Sequence, residues 1–268
     1  YTDRLDMAMV YSNSPCVSAG TYTTNLVKAA PVVWDRKITD GDGIVQAIVV
    51  NAGIANACTG KEGLDYCEQT ANEAASVLGI KPEEVLVAST GVIGKQLPME
   101  KIKAGVHKLK ENLSDSLESA SLSAEAIMTT DTIKKEIALE FEIAGTKVKM
   151  GGMCKGSGMI HPNMCTMLGF VTTDVAIDKA LLLKALREDV VDTFNMVSVD
   201  GDTSTNDSFI VLANGQAKNK LIDSEGEDYK TFKEALHQIN VELAKMMAGD
   251  GEGATALFEV KVVGAQSK

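Results

Sequence analysis

The stretch KGSGMIHPNMCTMLGFVTTD, Lys155 to Asp174, organises the rest of the chain. A glycine-rich turn with one lysine passes through Pro162 and Asn163 to Cys165 and Thr166, and the threonine opens the apolar run MLGFV. Such a run suits a strand in a sheet core. Thr166 therefore has two readings at this level. It is a buried strand threonine behind a loop, or it is a nucleophile freed as a new N-terminus by scission of the Cys165-Thr166 bond. A threonine hydroxyl needs a base to take its proton, and the amine of the same residue supplies one once that residue is N-terminal. With an ordinary pKa near about 8, this amine works close to neutrality without large tuning.

Outward from this stretch, hydrophobic periodicity lays out an alternation of strands and helices. On the N-terminal side, β-like segments are expected at Met7–Tyr11, Thr21–Leu26 and Gly43–Val50, the last carrying the continuous apolar run IVQAIVV. Helical spacing of Leu64, Cys67, Ala71, Ala74, Ala75 and Leu78 predicts a helix over 61–78 that Gly79 stops. Val85–Ser89 reads as a strand delivering the turn Thr90-Gly91-Val92-Ile93-Gly94. Pro98 opens a helix with Ile102, Val106 and Leu109 on one stripe.

The segment 114–132 is expected as helix plus loop, and the alternation in 137–153 around Ala144-Gly145 as a hairpin. Beyond Thr166, helices are expected at 177–191 and 229–247, with strands at Phe194–Val199, Phe209–Leu212 and Ala256–Val263. Interleaved elements with antiparallel neighbours predict an α/β fold of mixed sheets in a sandwich with helical outer layers.

Composition narrows the function classes. With 268 residues and 45% apolar content the chain can bury a sizeable core. A formal charge of -11, from 26 basic against 37 acidic residues, argues against a polyanionic partner, so neither nucleic acid nor an anionic surface is expected. No apolar run reaches about 18 residues and the opening YTDRLDMAMVY has no signal-peptide pattern. A cytoplasmic, non-membrane protein is the expectation, and the opening reads as the interior of a longer chain. Five scattered cysteines without a CxxC pair fit reduced, mostly buried thiols, and three histidines far apart supply neither a zinc site nor a serine triad readily. No metal is expected. The acidic run Asp200 to Asp207 lacks the glycine and glutamate that an EF-hand requires at its sixth and twelfth positions.

Acyl transfer also needs donors for an oxyanion. Thr90-Gly91, at the end of an expected strand, offers backbone N–H groups and a close approach to substrate, or else simply ends the strand. Lys155 can meet a carboxylate or lie exposed. Glu252, between Gly251 and Gly253, can hold an ammonium or be a solvated loop charge.

Taken together, SAGTYTTNLVKAAPV (18–32), NAGIANACTG (51–60), STGVIG (89–94), AIMTTDT (126–132), KGSGMIHPNMCTML (155–168), SVDGDTSTNDS (198–208) and DGEGAT (250–255) resemble the ornithine acetyltransferase (glutamate N-acetyltransferase) family of arginine biosynthesis, in the family's order and over nearly the whole chain. The resemblance implies a self-cleaving, N-terminal-nucleophile-like acyltransferase. Residues 1–165 would form an α segment on the oxyanion-hole side, and 166–268 a β segment that begins with the nucleophile. The two would remain associated as α2β2.

It further implies cleavage between Cys165 and Thr166, Thr166 as the acetyl-accepting nucleophile, and Thr90 and Gly91 as the oxyanion hole. Thr129, Lys155, Thr166 and Glu252 would bind substrate. The implied reaction moves acetyl from N-acetylornithine to glutamate by a ping-pong route, releasing ornithine and N-acetylglutamate. No cofactor is implied, with acetyl-CoA as a candidate second donor. Cys165 stands where the family more often has alanine, and family members continue beyond the equivalent of Val263 with further site residues. An amidohydrolase or aminopeptidase using the same threonine, and a non-catalytic amino-acid-binding remnant, are the alternatives.

Overall fold

The computed structural model describes residues 4–161 and 167–266. Its strands are β1 (Met7–Tyr22), β2 (Val45–Ile54), β3 (Val85–Val92), β4 (Lys135–Ile143), β5 (Thr146–Lys155), β6 (Leu168–Thr173) and β7 (Ser208–Ala213). Its helices are α1 (Ala30–Thr39), α2 (Gly60–Leu78), α3 (Met99–Glu111), α4 (Leu117–Ala126), α5 (Lys179–Asp192) and α6 (Glu227–Gly249). The strands follow the order β3-β2-β1-β7-β6-β5-β4, with parallel pairing in β2–β3 and β6–β7 and antiparallel pairing elsewhere. This is the mixed sheet expected from the sequence.

β1 makes the sheet into two layers. Its first part pairs with β2 and its last six residues, Val17–Tyr22, pair with β7, with the register broken between Tyr11 and Cys16. A break of this kind bends a strand and lets it pass from one sheet half to the other.

The alternation along each strand then builds distinct cores. Ile48, Val50, Leu86 and Ala88 from one half meet Met153, Leu168, Phe170, Ile210 and Leu212 from the other. The opposite faces turn to helices. Ala47, Val49, Val85 and Val87 pack with Ala71, Ala74 and Ala75 of α2 and Val106 of α3. Val171, Phe209 and Val211 pack with Leu182 and Leu186 of α5 and Phe232, Leu236 and Ile239 of α6. The result is a helix, sheet, sheet, helix sandwich.

Local chemistry fixes the element ends. Gly79 stops α2 in the left-handed conformation at φ 72°. Asp178 caps α5 by accepting from the amides of Ala180 and Leu181. Ala144 and Gly145, with φ of 48° and 81°, make the tight turn of the β4–β5 hairpin.

Four sequence expectations are corrected. Met7–Tyr11 and Thr21–Leu26 are not separate strands: β1 runs continuously through the polar residues Ser12, Asn13 and Ser14 and through Pro15, while Leu26 lies exposed beyond its end. Helix α1, opened by Pro31, replaces an unassigned stretch. Phe194–Val199 is not a strand, because Phe194–Met196 forms a short 3-10 turn that puts Phe194 into the core against Phe209. Ala256–Val263 is not a strand either: it alternates suitably but pairs with no described strand, and Phe258, Val260, Val262 and Val263 lie exposed.

Among the described residues, no helix is long and apolar enough to cross a membrane.

Candidate active site

The site is assembled where β3, β5 and the strand entries of β6 and β7 end together. β3 delivers Thr90, buried, and Gly91 with φ 127°. Gly91 pairs with Gly53 of β2, itself at φ 108°, and a side chain on Gly91 would run into the Gly53 backbone. Only glycine fits that dihedral and that contact. Behind this turn the Ser89 hydroxyl donates to Asn51 Oδ1 at 2.7 Å.

The loop before β7 links this corner to the other sheet half. Asn206 Nδ2 donates to the carbonyls of Ser89 (2.8 Å) and Ala55 (2.6 Å). Its neighbour Asp207 is 1% exposed, and its Oδ1 accepts from the Met167 amide at 3.1 Å. The other oxygen, Oδ2, is buried with no hydrogen-bond partner among the described residues. Burial pushes the Asp207 carboxyl well above the usual carboxylate range. One dipeptide thus grips the β3 turn with one residue and the entry to β6 with the next.

Lys155 ends β5, paired with Leu168. At 3% exposure it is a buried lysine, which removes the exposed-lysine reading. Burial lowers its pKa, opposed by the Asp131 carboxylate 3.9 Å from Nζ. Asp131 Oδ1 also accepts from Lys135 Nζ (2.8 Å) and the Gly156 amide (2.7 Å), and its Oδ2 accepts from the Thr129 amide (3.0 Å). Burial alone would raise Asp131, but the Lys155 and Lys135 charges hold it below the usual carboxylate range.

Lys135, fully buried, places its three donors on Asp131 Oδ1, the Ile133 carbonyl (3.2 Å) and Asp250 Oδ2 (2.6 Å). Asp250 also accepts from the amide and hydroxyl of Thr132. Through its carbonyl it accepts from Ser157 Oγ at 2.7 Å. Two residues on, the Glu252 amide donates to the Ser157 carbonyl at 2.7 Å. The exposed Glu252 carboxylate lies over Gly158, where any side chain would collide with it.

Of the residues singled out in sequence, the structure connects Thr129, Lys155 and Glu252 through this network. Asn206, Asp207 and the β6 entry join them to Thr90 and Gly91. Cys165 and Thr166, and with them the expected segment boundary, lie outside the described residues. Asp131, Lys135 and Asp250 were not singled out, and Asn206 and Asp207 were weighed only within an acidic run that fails as a calcium loop, although all but Lys135 sit inside the quoted motifs. The only signal for them was polar residues crowded among short apolar runs. Among the described residues no group of histidine, cysteine and acidic side chains could hold a metal ion. Cys154 is fully buried, and burial pushes its thiol up to about 12, too high for a nucleophile near neutrality.

The layered mixed-sheet arrangement, with two positive-φ glycines back to back at one strand end and a buried lysine at another, defines an α/β sandwich class. A structure of an L-aminopeptidase D-Ala-esterase/amidase from Ochrobactrum anthropi shares the fold at TM-score 0.50 with 13% identity. The particular family follows from sequence: residues 1–268 match the ArgJ family, and the chain belongs to it. It is 54% identical over 265 residues, 99% of this chain, to the arginine biosynthesis bifunctional protein ArgJ 1 of Clostridium acetobutylicum, and 55% identical over 260 residues to that of Symbiobacterium thermophilum. In each case the chain spans 64% of the relative's length.

Among solved structures, ArgJ from Bacillus halodurans matches at TM-score 0.59 and 41% identity, covering 63% of this chain and 85% of that one. Ornithine acetyltransferase from Mycobacterium tuberculosis, complexed with ornithine, matches at TM-score 0.51 and 32% identity, covering 62% and 85%.

Proposed function

We propose that the protein to which these residues belong is an ornithine acetyltransferase that moves acetyl from N-acetylornithine to glutamate in arginine biosynthesis. The observation that carries this reading is the double grip of Asn206 and Asp207, one on the Thr90-Gly91 turn and one on the residue after Thr166. It supports a nucleophile at the head of β6 facing oxyanion donors at the end of β3.

In this reading the chain cuts itself at Cys165-Thr166, and the new α-amine takes the proton from the Thr166 hydroxyl as its oxygen attacks the acetyl carbonyl. The N–H groups at Thr90-Gly91 meet the oxyanion. Collapse expels ornithine, which leaves with the proton, and the acetyl remains on Thr166. The glutamate amine then attacks that ester, the bond from acetyl to the Thr166 hydroxyl oxygen breaks, and this oxygen recovers the amine's proton through the α-amine as N-acetylglutamate departs. Lys155 meets a substrate carboxylate, Glu252 a substrate ammonium, and Thr129 a polar group between them. β5 of residues 1–165 pairs along its end with β6 of 166–268, which supports two segments that stay together after scission. Their assembly as α2β2 in the cytoplasm, without a cofactor and with acetyl-CoA as a candidate second donor, belongs to the same proposal.

The test is incubation of the full-length protein with N-acetylornithine, with and without glutamate. Transfer predicts N-acetylglutamate in step with ornithine only when glutamate is present. Steady acetate release without acceptor would make the protein an amidohydrolase instead.

A further inference from the structure

Three of the side chains proposed to bind substrate, Thr129, Lys155 and Glu252, stand on separate segments, Lys155 at the end of β5 and the other two on loops, and one buried ion network ties all three. Lys135, on β4, is remote in sequence from Glu252 and belongs to no strand end of the nucleophile, yet it is fully buried with every donor used. Its two carboxylate partners each hold backbone. Asp131 holds the amides of Thr129 and Gly156, the second being the residue after Lys155. Asp250 holds the amide of Thr132, and its own carbonyl holds Ser157, which in turn anchors Glu252. Two lysines and two aspartates balance in charge, the fourth member being Lys155 itself.

A hydrophobic plug would fill this space without the desolvation that buried ions suffer. What ions add is direction, since each carboxylate oxygen fixes a specific amide.

We propose that Lys135, Asp131 and Asp250 form a positioning clamp that sets the spacing among Thr129, Lys155 and Glu252, and so governs substrate affinity rather than the acetyl-transfer step. The clamp touches no reacting atom. It acts on the backbone segments that carry the binding groups, and this inference rests on the proposed function for what those groups bind. Misplacement of a binding group by about 1 Å is enough to cost up to about a hundredfold.

The experiment uses the full-length protein with Lys135→Met, which removes the ammonium at similar length, and with Lys135→Met combined with Asp250→Asn, which also removes the stranded charge. Amide hydrogen exchange and steady-state kinetics are read on both. The expected result is faster exchange at Thr129, Thr132, Gly156 and Glu252 together, with β6 and β7 still protected. KM for N-acetylornithine should rise about tenfold or more, while kcat changes far less. Unchanged exchange at these four amides in a folded variant would overturn the clamp, as would a fall in kcat at constant KM. If the single variant does not fold, the double variant decides. Failure of both to fold would make the network a requirement of folding and overturn it too. A wild-type protein that transfers no acetyl would sink the proposed function alone, because exchange still reads the clamp.

Discussion

Asn206 reaches across the sandwich to Ser89: its side-chain amide donates to the Ser89 carbonyl at 2.8 Å, and the same nitrogen donates to Ala55 at 2.6 Å. These contacts leave no slack in the turn that presents Thr90 and Gly91. Asn206→Ala would strand two buried carbonyls, at about 1–3 kcal/mol each. Thermal unfolding should shift down accordingly. With Thr90 and Gly91 meeting the oxyanion as proposed, kcat of the full-length protein should fall by about 10²-fold, with a smaller change in KM. A stable variant with normal kcat would show that the turn does not depend on Asn206.

Asp207 makes a prediction of opposite character. Its carboxyl is pushed up by burial, so between the unfolded value of about 3.9 and the higher folded value the native state binds the extra proton. Stability from this group is therefore present at acid pH and declines as pH rises through the folded pKa. Asp207→Asn keeps an oxygen for the Met167 amide and abolishes that decline. It should match or exceed the parent in melting temperature near neutrality, and Asp207→Ala should lose about 1–3 kcal/mol. Equal melting temperatures for the two variants would contradict this account.

Lys155 should give substrate binding an early alkaline limb. Burial lowers its pKa, and the Asp131 carboxylate only partly opposes this. The native state therefore gives up the proton before the unfolded chain does, and fold stability from this group rises with pH between the two values. The ammonium proposed to meet a substrate carboxylate is lost over the same interval. KM for N-acetylornithine, followed from pH 7 upward, should begin to climb below the ordinary lysine value of about 10.4, with kcat flatter.

Much of this architecture was legible in the sequence, for a definable reason. Strands buried on both faces, such as Ala47–Val50 and Phe209–Leu212, and stripes such as Ala71, Ala74 and Ala75 declare themselves because burial follows the period of the backbone. β1 hid because Ser12–Pro15, where it bends between sheet halves, carries the polar residues and proline that elsewhere end a strand. Ala256–Val263 misled for the converse reason: alternation shows that a segment can pair, not that a partner stands beside it. Within the site, Thr90 and Gly91 were marked only by the family resemblance, because Thr-Gly at a strand end reads equally as a plain turn. Lys135 was not, since a lysine opening a charged strand gives no sign that its ammonium will be buried between two aspartates contributed by other loops.

Thiol chemistry offers a check on the packing. Cys16, Cys67 and Cys154 are buried with pKa values raised by burial, whereas Cys58 is exposed. Brief treatment with a maleimide at pH 7 should modify Cys58 and spare these three, as peptide mass mapping would show. Modification of Cys154 under native conditions would be inconsistent with a closed core between β5 and α6.

The central claim concerns Thr166, and peptide mass analysis of the full-length protein quenched after exposure to N-acetylornithine without acceptor tests it most directly. The account predicts a chain split at Cys165-Thr166, with one acetyl group on the peptide that begins at Thr166. It also predicts that Thr166→Ala abolishes both scission and acetylation while Cys165→Ala spares them. An unsplit chain, or an acetyl group carried by any other residue, would contradict it.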